Sequence, residues 1–432
     1  MDRIRLATQS VAVFSAALLF SAAANSQDIR LDVGETERDP TWLVMPFLFN
    51  TEALDTAYGI AGGTTGYFQP QMSTFAAVMG STNDTVALFL SVNDYQFQSL
   101  PRMFATMTGS LGDWTKHRTY AGFDPAFPGE RAGSNNSSED NFFGGNGQNN
   151  WFDLNFRYLF PTGDGRENLI DSIYLDRGIV DSGDVEVTAW SPAKSGRLYL
   201  DSTFFYNTRS FEQDTNNLAG DTNGLELALE YDNRDFSANP SKGSLQRIAI
   251  KRDFGWFGSN NSWTNLGLDL RKYISLGSAK GFRQRVLALN IWTSYSPTWN
   301  ITSSPNGPVV ENRPPNVEGA SLGGFDRLRA YPTDRFSDKA AVLYVAELRL
   351  ISSWNPRNWR LLDFLEVDWI QLVPFVEVGR VAPGWSLSDL HNDMKWDVGL
   401  GLRFMMRKAV FRIEVAGNDD SSSGWVMIGQ PF

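Results

Sequence analysis

Apolar and polar residues alternate with a period of two along much of the chain. Between residues 393 and 405, Trp396, Val398, Leu400, Leu402 and Phe404 fall on one face, and Lys395, Asp397, Gly399, Gly401 and Arg403 on the other. Residues 264–274 set Leu266, Leu268, Leu270 and Ile274 against Asn265, Gly267, Asp269, Arg271 and Tyr273. The pattern returns with Leu225, Leu227, Leu229 and Tyr231 opposite Glu226, Ala228, Glu230 and Asp232, and with Phe411, Ile413 and Val415 opposite Arg412 and Glu414. Period two is the side-chain repeat of a β-strand. It suits a sandwich with one wet face, and it suits a membrane barrel, whose strands read apolar-out and polar-in.

The alternation predicts strands near 57–67, 71–81, 84–95, 101–112, 115–123, 149–160, 195–209, 222–233, 243–254, 262–275, 282–295, 340–353, 367–380, 393–405, 408–416 and 424–432. That is sixteen, an even number as bacterial barrels have. If the first rises from the periplasm, short connections at Thr82-Asn83, Gly112 to Trp114, Leu276 to Gly281 and Met406-Arg407 lie inside. Long stretches at 124–148, 210–221, 296–339, 381–392 and 417–423 lie outside. Segments 161–194 and 354–366 break the rule, and the first has room for an extra hairpin with Asp184 to Trp190 as one arm. Trp42, Tyr67, Trp114, Trp151, Trp256, Trp263, Trp354, Trp369, Trp396 and Trp425 fall near predicted strand ends, where interfacial girdles form.

The N-terminus points to secretion, which leaves a periplasmic β-protein and an outer-membrane barrel open. Arg3 and Arg5, an apolar run from Val11 to Phe20, and Ser21-Ala22-Ala23-Ala24 make a secretory signal peptide over 1–24. The run is shorter than the roughly 20 residues of a spanning helix. Residues 25–56 read as a short periplasmic segment and 57–432 as the barrel. Cys is absent, which excludes disulfides, a thiol nucleophile and a lipidated cysteine. Without 1–24 the balance is 36 bases against 48 acids, net −12. An acidic surface argues against nucleic acid as a partner.

The chain ends Gly424-Trp-Val-Met-Ile-Gly-Gln-Pro-Phe432. A last strand closing on a terminal aromatic resembles the signal read by the barrel-assembly machinery, with Trp425, Ile428 and Phe432 as its residues. Outer-membrane lipids and lipopolysaccharide are the other expected partners. Catalysis is not expected. The only histidines, His117 and His391, have no serine or acid at a spacing that signals a lipase dyad. Glu139-Asp140 and Asp419-Asp420 read as solvated loop acids, so no metal or cofactor is expected.

Three stretches are more specific. Tyr231-Asp-Asn-Arg-Asp-Phe-Ser-Ala-Asn-Pro-Ser-Lys-Gly243, Gly323-Gly-Phe-Asp-Arg-Leu-Arg-Ala-Tyr331 and Leu372-Val-Pro-Phe-Val-Glu-Val-Gly379 resemble segments of the BamA/TamA family, also called the bacterial surface antigen family. The resemblance spans about 57–432 and implies an all-β, sixteen-stranded antiparallel transmembrane barrel of the outer membrane. It implies further that loop 296–339 folds into the lumen. The motif Arg329, with Tyr331, would there meet acids on the two following strands, Glu347 and Glu377. Alternation turns both inward, since Glu347 opposes Ala346 and Leu348, and Glu377 opposes Val376 and Val378. Ala330 stands where the family motif has Gly. The roughly 30 residues between Ala24 and the first predicted strand leave no room for the periplasmic polypeptide-transport-associated domains of the protein-assembling members, so the barrel-only branch is expected.

Three functions follow in order. The first is help with insertion or transport of a substrate at the outer membrane. The second is a passive pore or structural barrel. The third, an outer-membrane lipase, is disfavoured by the missing dyad.

Overall fold

A computed structural model describes residues 30–33, 40–51, 54–180, 190–211, 220–259, 261–304, 307–406 and 409–432. The signal peptide 1–24 and residues 184–189 of the expected extra arm lie outside them. Sixteen strands form one antiparallel sheet in which chain order is spatial order. They are β1 (Thr41–Thr51), β2 (Asp55–Thr65), β3 (Ser73–Ser81), β4 (Val86–Phe97), β5 (Leu100–Thr119), β6 (Phe143–Leu159), β7 (Arg197–Phe211) and β8 (Gly220–Asp232). There follow β9 (Gly243–Phe254), β10 (Ser262–Ser275), β11 (Phe282–Tyr295), β12 (Ala340–Ser352), β13 (Val367–Ala382), β14 (Lys395–Met406), β15 (Ala409–Gly417) and β16 (Ser422–Ile428).

The count of sixteen matches the sequence reading through two compensating errors. The sheet begins at Thr41 rather than near residue 57, so 41–51 belongs to the barrel and not to a periplasmic segment. The reason is visible in its residues. Trp42, Val44 and Leu48 face outward and Leu43, Met45 and Phe47 inward, so no alternation betrays the strand. Pro46 also argues against a central strand, and it is tolerated here because β1 is an edge. The second error split β5 at Gly112 to Trp114. The strand runs through, with a register shift between Trp114 and His117 that interrupts the alternation. Starting one strand earlier and merging two strands moves Thr82-Asn83 to the same end as loop 296–339, and puts Gly112 to Trp114 within a strand.

The outward face is apolar and open. Leu266 is 40%, Leu400 46% and Leu402 45% exposed, whereas inward Asp397, Arg403 and Glu414 are at 0%. Leu400→Arg is expected to cost roughly 2–4 kcal/mol at midplane depth, read as a lower unfolding midpoint in detergent or lipid. Single cysteines at 400 and 402 should resist a water-soluble maleimide; their rapid labelling would invert the facing. The girdle expectation holds only in part. Trp42, Tyr67, Trp256, Trp354 and Trp396 are exposed, but Trp263, Trp369 and Trp425 are buried. Their indoles donate instead to Thr222 Oγ1 (3.0 Å), the Gly178 carbonyl (3.0 Å) and the Arg329 carbonyl (2.7 Å).

Polar-in fails over much of β1–β4. There Ala57, Ala61, Ala77, Met79, Ala87 and Phe89 form an inward apolar cluster, backed by Phe47, Phe75 and Trp114. The charged wall begins at β6. Among the described residues no hydrogen-bonded ladder joins β1 to β16. Leu43 and Met45, on the lumen-side face of β1, pack against a cluster of Val367, Met406 and Phe411 that also holds Ile370, Phe404 and Ile428. Ile370, Phe404, Phe411 and Ile428 share the outward face with Leu402. The two ends therefore overlap through side chains.

At the end opposite loop 296–339, segment 160–196 supplies no barrel strand among its described residues. Asp171–Asp176 pairs with Ile179–Val180, and in parallel with Arg30–Val33. Ile173 packs with Phe236, from the turn 233–242, against Ile351, Trp369, Met405 and Val410. Asn239 of that turn bonds Gln284 of β11 and Gln371 of β13. This mouth of the lumen is thus crossed by protein. Among the described residues no helix is long and apolar enough to span a membrane.

Candidate functional site

Loop 296–339 narrows to a neck where Ser321–Leu322 pairs with Phe336–Ser337. Beyond it the chain turns at Gly323 (φ +108°), where a Cβ would lie 2.2 Å from the Pro332 carbonyl oxygen, so only Gly fits. Gly323 N–H donates to the Arg327 carbonyl (2.8 Å) and Tyr331 N–H to that of Leu328 (3.0 Å). These bonds push the tip, 327–331, against β12–β15.

Arg329 is fully buried there. Its Nη1 lies 3.0 Å from Glu347 Oε1 and 2.8 Å from Glu414 Oε2, and its Nε 3.2 Å from Glu377 Oε2. Its backbone N–H donates to Glu377 Oε2 (2.7 Å), and its guanidinium carbon sits 3.4 Å from the Phe375 ring centre. Burial alone would lower its pKa. The carboxylates of Glu377, Glu414 and Glu347 outweigh that and hold it well above the ordinary arginine value, so it stays charged.

Three further arginines complete the cluster. Arg403 Nη2 reaches Glu347 Oε1 (2.7 Å) and Glu414 Oε1 (2.6 Å). Arg412 bridges Glu414 (3.0 Å) and the loop's Asp326 (2.7 Å). Arg349 meets Glu347 (2.9 Å). Charge-assisted bonds of this kind are short and directional, and Glu347 and Glu414 are each shared by three arginines.

Of the residues singled out from sequence, the structure brings Arg329, Glu347 and Glu377 into contact. Tyr331 packs beside them, edge-on to Phe336 at 5.0 Å between centres. Ala330 does not adopt a left-handed φ; that conformation falls on Leu328 (φ +52°). The Ala330 Cβ is therefore accommodated. Its N–H still reaches Asp397 Oδ2 (3.0 Å), and its carbonyl accepts from Ser421 and Ser423.

The expected last strand, 424–432, is cut short. β16 stops at Ile428, and Gly429 (φ +91°) turns the tail into the lumen. Gln430 Oε1 accepts from Arg403 Nη1, and the Phe432 carbonyl accepts from Arg349 Nη2 (3.1 Å). The Phe432 ring stacks near Tyr273, 6.4 Å between centres, and is 4% exposed. Trp425 also faces inward, while Ile428 lies at the overlapped seam.

Sequence reading missed Glu414, Arg403, Arg412, Arg349 and Asp397 as partners. The signal was there, because Asp397, Arg403, Arg412 and Glu414 all lay on the polar face of their strands. Alternation places a charge inside without saying which strand's charge it meets. Among the described residues no group of three or more acids or histidines is placed to hold a metal ion.

A family model described as the Omp85 superfamily domain matches residues 152–420. No curated protein matches the sequence. Among solved structures, CdiB from Escherichia coli is similar with a TM-score of 0.55 at 9% identity, over 89% of this chain and 61% of that one. CdiB from Acinetobacter baumannii gives a TM-score of 0.48 at 12% identity, over 90% of this chain and 58% of that one. The chain thus spans about three-fifths of their length. The first likeness shows the fold.

Proposed function

The chain belongs to the Omp85 superfamily, and from that premise we propose that it is a plugged outer-membrane barrel that assists insertion or transport of a substrate, without a catalytic step of its own. What carries the reading is that protein crosses the lumen at both ends. The tip of loop 296–339 is ion-paired to β12–β15, and the turn 233–242 reaches from β8–β9 to β11 and β13. A passive pore needs a clear path, and a barrel of this size is wide enough for one when empty. Filling it with a buried charge cluster suits a protein that opens on demand. The partners of this reading are outer-membrane lipids, lipopolysaccharide, and the assembly machinery that inserts the chain.

Planar-bilayer recording tests it. The purified protein is expected to be closed, with brief openings. A steady conductance from the moment of insertion would favour the passive pore.

A further inference from the structure

The loop meets a second wall as well. Glu318, in the short 3-10 turn Asn316–Glu318, pairs with Nζ of Lys251 on β9. That position is six strands from β15. Lys251 Nζ also sits 4.3 Å from the centre of the Phe205 ring. Beyond the wall, Arg131 meets Asp338 (2.8 Å) and Arg335 donates to the Ser137 hydroxyl (3.0 Å); the two fastenings to the barrel strands differ in what their release would leave behind.

Arg329 has no exposed side-chain surface, and neither have Glu347, Glu377 and Glu414. Withdrawing it would leave Glu377 buried with no cation beside it, while Glu347 and Glu414 would keep Arg403. Lys251 is otherwise placed. Glu226 is its direct cross-strand partner on β8, so a carboxylate remains beside it when Glu318 leaves. Neighbouring ion pairs on that wall form without the loop: Arg157 meets Asp201 (2.7 Å) and Glu230 (3.6 Å), and Arg247 meets Glu226 (2.5 Å) and Glu230 (3.6 Å). Glu318 and Lys251 retain 11% and 17% exposure, so water reaches both as they part. Separating an ion pair costs little where each member keeps a partner or solvent, and much where a charge is left buried alone.

We propose that loop 296–339 is a strap across the lumen, hinged at Arg329 and released first at the Lys251–Glu318 pair. This rests on the reading of the loop as a plug, and it names the contact that regulates that plug.

The test uses full-length protein in planar bilayers, with folding checked by heat-modifiability on gels. Glu318→Gln and Lys251→Gln should fold normally and raise the frequency of brief openings several-fold, and the exchange Lys251→Glu with Glu318→Lys should return it toward wild type. Arg329→Ala should give larger, sustained openings and a less heat-resistant barrel. If Arg329→Ala conducts while Glu318→Gln and Lys251→Gln stay as quiet as wild type, the second fastening is overturned and the plug stands. If all stay quiet though folded, the loop is no plug and both ideas fall. If Glu318→Gln matches Arg329→Ala in conductance and heat-lability, the proposed order of release is wrong.

Discussion

Arg329→Glu should be the most damaging single substitution in the lumen. It places a fourth carboxylate among Glu347, Glu377 and Glu414 and removes the cation that joins them. Breaking a buried ion pair costs roughly 3–5 kcal/mol because the remaining charge is left unpaired, and like-charge repulsion adds to it. The variant should lose heat-modifiability at lower temperature, and its loop should become open to protease. Glu377→Arg added to it should restore only part, because Glu377 also accepts the backbone N–H of residue 329. Arg329→Lys should fall between the two, since an ammonium lacks the planar fork that reaches three carboxylates. A loop equally protected in wild type and Arg329→Glu, with unchanged gel behaviour, would show that no latch exists.

Deleting Phe432 should remove the protein from outer-membrane fractions almost completely. Two causes are separable. One is loss of a terminal aromatic read during assembly. The other is loss of a lumen contact, because Phe432 supplies an acceptor to Arg349 and a ring beside Tyr273. Tyr273→Ala keeps the terminal aromatic and removes its seat. If Tyr273→Ala reaches the membrane in normal amounts and the deletion does not, the recognition role dominates. If both are lost alike, the lumen contact does. Normal amounts of folded deletion variant would refute both.

The charged wall was legible in the sequence over β8, β10, β14 and β15, where polar-in, apolar-out alternation is plain; on β11 and β12 the inner face carries Val286, Ala288, Leu343 and Val345 as well. The inward facing of Glu347 and Glu377 followed from their neighbours. β1 was illegible for the opposite reason: its residues are apolar on both faces, since its inner side meets the outer side of the last strands at Leu43 and Met45 and the inward apolar cluster at Phe47. β5 was misread because its register shift mimics a turn. The lower mouth was illegible too. Phe236 and Ile173 read as loop residues, and only their meeting with Trp369 and Met405 across the barrel gives them a place. The tail posed a subtler problem, for no period-two rule anticipates that Gly429 turns it off the strand.

That turn has a consequence for how a finished molecule differs from an unfinished one. In an unfolded chain the last residue is freely displayed. In the folded barrel the same ring lies under the loop with almost no surface left. The Phe432 ring is therefore accessible only before the barrel has formed around it. Anything that binds this ring has to displace it from Tyr273 and Arg349 once the barrel has folded.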